Sequence, residues 1–215
     1  MGRRSPGGRG PSHRLRAGAP AARGVTRATE QRPSWGYHRL LGERLAHATA
    51  ALDVQTGGGE VLAGVPTLPR TMVATESWPP NLARATALLH PRGAIVVADP
   101  DKPPLPFPDA AFDLVTSRHP ATVWWAEIAR VLRPGGTYLA QHFGPASVWE
   151  LVEFFLGPQP EAARHLRKVI WIVPGFTVES HLPRPRALDA LIRAEGPFVA
   201  HSSRTLVEAR RPGTP

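Results

Sequence analysis

"ALDVQTGGGEVLAG", residues 51–64, decides how this chain is read. A short apolar run ends in a single acid, Asp53, and three consecutive glycines, 57–59, follow almost at once. Glycine directly after a strand lets the backbone turn tightly and lie against a ligand with no side chain between them. In an open parallel sheet, that place is where ligands bind, outside the carboxyl ends of the strands. The stretch therefore predicts a strand, a bare main-chain turn facing a ligand, and a short helix from Glu60.

The flanking sequence extends this pattern in both directions. "WGYHRLLGERLAHAT" places Leu40, Leu41, Leu45 and Ala48 on one face of an amphipathic helix. After the glycines come "TMVATE" as a strand and "PPNLARATALL" as a helix with proline at its start, where it is tolerated. "AIVVAD" is a strand followed by a proline-rich loop, and "AFDLVTS" is another strand. "TVWWAEIARVL" predicts a helix stopped by "RPGG", with Trp124 and Trp125 given to core packing. "TYLAQHF" is a strand and "SVWELVEFFL" a helix. Strands alternating with helices imply a doubly wound α/β fold with a mostly parallel sheet.

The chain has 215 residues, room for one domain and a tail. It has no cysteine, which excludes disulfides and cysteine-based zinc sites or nucleophiles, and no metal site is expected. No apolar run approaches a membrane span, so the expectation is a cytoplasmic protein with no membrane partner. The net charge of +9 invites a nucleic-acid reading, but residues 1–32 hold eight arginines and one acid, Glu30. The rest is almost balanced, with 18 basic and 16 acidic groups. Residues 1–33 read as a disordered basic tail, a solvated extension or an RNA-binding arm. The tail lacks the apolar core of a signal peptide, and Pro6 breaks the myristoylation pattern. Residues 34–211 form the domain, with a cofactor-binding core at 34–156, a shortened part at 157–211, and a disordered end at 212–215.

Two ligands suit a glycine turn after the first strand: a dinucleotide or S-adenosylmethionine. The dinucleotide pattern starting at Gly57 needs glycine where Leu62 stands, and fails. "LDVQTGGGE", Glu76 closing "MVATES", Asp99 in "VVADPDKPPLPFPDAAFDLV" and "EIARVLRPGG" follow one another in a known order. In this the chain resembles the class I S-adenosylmethionine-dependent methyltransferases, of the type 11-like domain. The resemblance covers about residues 35–156 and departs at Gln55, where the family's first glycine is usual. It implies S-adenosylmethionine as cofactor, with Asp53, Gly57 and Gly59 at its methionine end. Glu76 would lie at the ribose and Asp99 near the adenine amino group, with Ser77 and Ser117 also among the cofactor-binding residues. A carboxylate accepts from both ribose hydroxyls, which is why an acid suits the end of the second strand. Each acid can instead cap a following turn.

Methyl transfer is an in-line displacement, so alignment of acceptor and methyl group matters most. The fourth and fifth strands end in "SRHP" and "QHFG". His119 and His142 are candidate bases, Arg118 a holder of an anionic part of the acceptor, and Gln141 a substrate contact. These pieces are similar to bacterial methyltransferases of the ribosomal guanine type. The acceptor is open between a small molecule and RNA. A second reading is a cofactor-binding protein with lost or weak catalysis, motivated by Gln55 and the short C-terminal part. "SRTLVEAR" predicts an antiparallel last strand and "PRALDALIRAEG" a helix ended by Gly196. The family's sixth strand has little room, "VIWIV" at 169–173 being either that strand or a buried helical segment. The chain looks abridged at about 160–166, leaving six strands.

Overall fold

The computed structural model of the chain describes residues 31–144, 147–158 and 183–213. Helix α1 (Tyr37–His47) buries Tyr37, Leu41 and Leu45, and Arg44 and His47 in its last turn suit the negative end of its dipole. Strand β1 (Ala50–Asp53) follows, then α2 (Glu60–Ala63), β2 (Thr71–Glu76) and α3 (Pro79–Leu89). Next come a 3₁₀ turn (His90–Arg92), β3 (Ile95–Ala98), β4 (Phe112–Arg118), α4 (Trp125–Val131) and β5 (Leu132–Phe143). The chain continues with α5 (Trp149–Leu156), α6 (Pro183–Glu195) and β6 (Arg204–Arg210).

Among the described residues one sheet of six strands runs in the order β3-β2-β1-β4-β5-β6. All neighbours are parallel except β6, which is antiparallel to β5. The expected doubly wound α/β sheet with an antiparallel last strand is thus present. The order reverses between β1 and β4, and in open α/β sheets such a switch point marks the ligand crevice, here at the end of β1. Alternate residues feed two cores. Ala51, Met72, Ala74, Leu114 and Leu139 pack under α1, α2 and α3. Leu52, Val73, Val115, Tyr138 and Ala140 pack under α4. This alternation fixes which side chains share a face at the strand ends.

Three expectations are corrected. The α4 helix is shorter than its apolar pattern, running from Trp125, and β5 starts at Leu132 instead of after "RPGG". Leu132 pairs with Phe112 and the register then slips before Leu114. The glycines make this slip feasible: a Cβ on Gly136 would stand 2.9 Å from the Arg133 carbonyl oxygen. Trp125 does not enter the core either. It is 54% exposed, its ring edge-on to Tyr138, while Trp124 donates through Nε1 to the Asp101 carbonyl at the rim. The basic tail over 1–30 and the questions of "VIWIV", the sixth strand and the abridgement over 159–182 lie outside the described residues.

Candidate active site

Three acids close three neighbouring parallel strands, Asp53 on β1, Glu76 on β2 and, one residue past its end, Asp99 on β3; all are buried. Asp53 accepts from the Thr116 hydroxyl at 2.6 Å. Burial pushes its carboxyl up to about 6, against the pull of that bond. Thr56 lies close enough to favour the Asp53 charge, although its buried Oγ1 closes no hydrogen bond. Glu76 organises the glycine turn. Its Oε2 accepts from the Gly57 N–H at 2.8 Å, and its Oε1 from the N–H groups of Ser77 and Trp78, each at 2.9 Å. Asp99 accepts from the Asp101 N–H at 2.7 Å.

The glycines divide by role. Gly57 has φ +65, and a Cβ there would meet nothing within 4 Å, so its main chain faces open space. Gly59, at φ +80, is needed for packing: a Cβ would stand 3.1 Å from the Ala85 Cα of α3. The backbone of Gly59 therefore serves the α2–α3 contact. Ser77 contributes its N–H to Glu76, and its residue is exposed.

Gln55 holds the left-handed φ of 58 that its usual glycine would adopt freely. Its side chain is not idle. Nε2 donates to Asp101 Oδ1 and to the Thr122 carbonyl, both at 2.7 Å, and Oε1 accepts from the Ala121 N–H at 2.6 Å. Gln55 thereby ties the loops after β3 and β4 across the end of β1. Burial, with Asp99 and Glu76 nearby, raises Asp101 to about 6, while the Gln55 bond opposes the rise.

The candidates at the ends of β4 and β5 separate. Ser117 faces the α4 side, where its hydroxyl donates to the Val54 carbonyl at 2.8 Å and lines a water-sized cavity with Tyr138 and Ile128. It does not join the three acids. Gln141 lies on the α1 side, accepting from Trp35 Nε1 and donating from its amide to His119 Nε2 at 2.9 Å. His119, at φ 59, stacks on Phe143 with ring centroids 3.9 Å apart. Burial holds its imidazole down to about 3, helped by Arg118, Arg204 and His142. His142 projects to the opposite face, near the Tyr138 hydroxyl at 3.2 Å and the Trp125 ring. The two imidazoles therefore have different surroundings. Arg118 is exposed.

Sequence reasoning missed the Gln55 tie and the Trp35–Gln141–His119 chain. Their partners lie 22 to 106 residues apart, and no local spacing signals such contacts. Among the described residues no group of three acid or histidine side chains is placed to hold a metal ion, and no helix is long and apolar enough to cross a membrane.

Residues 52–140 match the family described as a methyltransferase domain. The chain has no match among curated proteins. A proposed methyltransferase from Bacillus halodurans C-125 is similar in fold, with TM-score 0.51 and 20% identity over 81% of this chain and 98% of that one. The [4+2]-cyclase SpnF is similar too, with TM-score 0.53 and 17% identity over 82% of this chain and 81% of that one. The YcgJ protein of Bacillus subtilis is 22% identical with TM-score 0.44, and this chain spans 55% of it, as it does of this chain. Residues 52–140 thus match a methyltransferase domain, and the chain shares the fold of these solved structures.

Proposed function

We propose that this protein transfers the methyl group of S-adenosylmethionine to an acceptor placed at the ends of β4 and β5. The chemistry of the donor set fits the cofactor. It is a sulfonium cation carrying a ribose and an adenine, and the site offers carboxylates at consecutive strand ends beside the unobstructed main chain of Gly57. Asp53, Gly57, Glu76 and Asp99 would hold it, with Ser77 helping to fix Glu76. When bound, the cofactor supplies a methyl group already activated for displacement. The single observation that carries the reading is the Glu76 carboxylate, which joins the end of β2 to the Gly57 turn after β1.

The residues around the reacting end position more than they titrate. With Gln141 donating to Nε2 and the ring held neutral, His119 carries its proton on Nδ1 and keeps little basicity at working pH. We assign it to shaping the acceptor pocket, with Gln141 as its brace. The rate profile should then show no inflection from His119 between pH 5 and 8, and H119N should change turnover by less than about threefold. A loss of several hundredfold on that substitution would restore His119 as the base.

Cofactor binding should weaken in acid. Asp53 titrates near 6 in the fold against 3.8 ordinarily, so it is charged at pH 7 and mostly neutral at pH 5. A neutral Asp53 loses its attraction for the sulfonium, and the dissociation constant should rise about tenfold between those values, with Asp101 adding to it. The same shift acts oppositely on folding. The fold binds the proton more tightly than the unfolded chain, so this stabilising contribution is full below about pH 4 and lost as pH rises through 6. Calorimetric titrations at pH 5, 6 and 7 would check the first effect, and a flat series would refute it.

A second reading, a protein that binds the cofactor with weak or lost catalysis, is favoured by the Gln55 tie across the crevice. Transfer of labelled methyl from S-adenosylmethionine to a metabolite extract and to total RNA separates the two. Label in either fraction supports the enzyme, and tight cofactor binding with no labelled product supports the second reading.

A further inference from the structure

We propose that the acceptor is a small molecule bearing a carboxylate or phosphate, held by the guanidinium group of Arg118 in a positive field to which Arg204 contributes. This rests on the methyl-transfer reading above and names the class of its acceptor.

The strand register assembles the place. Arg118 pairs with Gln141, and Phe143 pairs with Arg204 at the start of antiparallel β6, so all four lie at one end of the sheet. Alternation puts them on one face, the α1 side, where Gln141 meets Trp35 and Leu206 joins the α1 core. The Arg204 guanidinium stands 3.9 Å from the centre of the Phe143 ring, and His119 stacks on that ring at the same spacing. A stacked imidazole and a guanidinium cannot share one face of a phenyl ring, so Phe143 is sandwiched between them.

Arg118 differs from most arginines of the domain. Arg39, Arg44, Arg84, Arg130 and Arg193 each meet a carboxylate, and Arg92 caps four carbonyls. Arg118 has no hydrogen-bond or ion-pair partner among the described residues, at the end of a parallel strand beside the switch point. The His119 imidazole next to it is neutral and lies in a positive field from Arg118 and Arg204. A guanidinium offers two parallel N–H donors that match a carboxylate or phosphate. The crevice is therefore divided, with acids facing the cationic cofactor and bases facing the far end of the acceptor. An anionic group at Arg118 would leave the opposite, nucleophilic end of a small molecule pointing toward the acids. Among the described residues Arg118 and Arg204 form a single spot and not a stripe that follows a polynucleotide backbone, which favours a small molecule over RNA.

The test titrates the full chain with inorganic phosphate, with benzoate and with a single-stranded oligoribonucleotide, each in wild type, R118Q, R204Q and R39Q. Thermal unfolding confirms that every variant is folded. Wild type should bind phosphate or benzoate, and the better of the two identifies the group. R118Q should lose roughly tenfold in that affinity, R204Q about threefold, and R39Q nothing. No binding of either small anion, equal binding by R118Q, or a tighter Arg118-dependent grip on the oligoribonucleotide would overturn the proposal. A parallel titration of wild type with S-adenosylmethionine keeps the two readings apart. Cofactor binding without anion binding removes this proposal alone, whereas no cofactor binding removes the reading beneath it and this proposal with it.

Discussion

Replacing Glu76 by alanine is expected to lower the unfolding free energy by about 3 kcal/mol and to weaken S-adenosylmethionine binding at least ~100-fold. The buried carboxylate accepts from three main-chain N–H groups, of Gly57, Ser77 and Trp78. Each such bond to a charged acceptor contributes about 1–2 kcal/mol, and the orphaned donors carry a desolvation cost of similar size. The loss for binding is separate. Without Glu76 the Gly57 N–H loses its tie to β2, only the bonds from the Gln55 and Thr56 N–H groups to Thr75 remain, and the main chain proposed to face the cofactor moves more freely. E76Q keeps the shape and one acceptor oxygen, so it should recover much of the stability but little of the binding. Denaturant unfolding and calorimetry on both variants check the pair. Unchanged cofactor affinity in E76A would detach Glu76 from the site.

Substituting glycine for Gln55 should act in the opposite direction on binding. The Gln55 side chain makes three hydrogen bonds that draw the loops after β3 and β4 together over the end of β1. With the nucleoside placed as proposed, beneath this tie, binding opens those bonds, which reduces apparent affinity by the fraction of molecules that stand open. Q55G removes the tie and also relieves a left-handed residue, whose strain costs about 1 kcal/mol. The net expectation is a fold weaker by about 1–2 kcal/mol that binds S-adenosylmethionine at least ~10-fold more tightly and more quickly. Stopped-flow binding and thermal unfolding of Q55G report both quantities. Weaker binding by the glycine variant would make Gln55 part of the cofactor's cradle instead of a strap across it.

How much of this was legible beforehand follows the range of the interactions. Each strand of the sheet declared itself through a run of four to seven apolar or alternating residues, and the acids at their ends were visible because Asp53, Glu76 and Asp99 terminate those runs. "SRTLVEAR" was equally plain, and the sheet uses it as the antiparallel β6. The start of β5 was not, because "RPGG" reads as a stop locally, while the pairing of Leu132 with Phe112 carries the strand through it. At the strand ends, residue type marked where the acids stand but not which groups they meet. Gln55 looked like a defect in a glycine motif, yet its amide has long-range bonds to Asp101, Ala121 and Thr122. Gly59 and Ser117 looked like ligand contacts, while the structure has them packing α2 on α3 and tying β4 to β1. His119 and His142 stood at adjacent strand ends in the sequence, and strand alternation then sent them to different surroundings. Such assignments depend on which face a side chain takes, and a shift of one residue reverses it.

The central claim is that three strand-end carboxylates and the bare turn at Gly57 hold one S-adenosylmethionine. Calorimetric titration of the purified chain with that cofactor at pH 7 tests it most directly. The account predicts one molecule bound per chain, with affinity reduced at least tenfold by D99N as well as by E76A. Absence of heat, together with an unshifted unfolding temperature at millimolar cofactor, would contradict it.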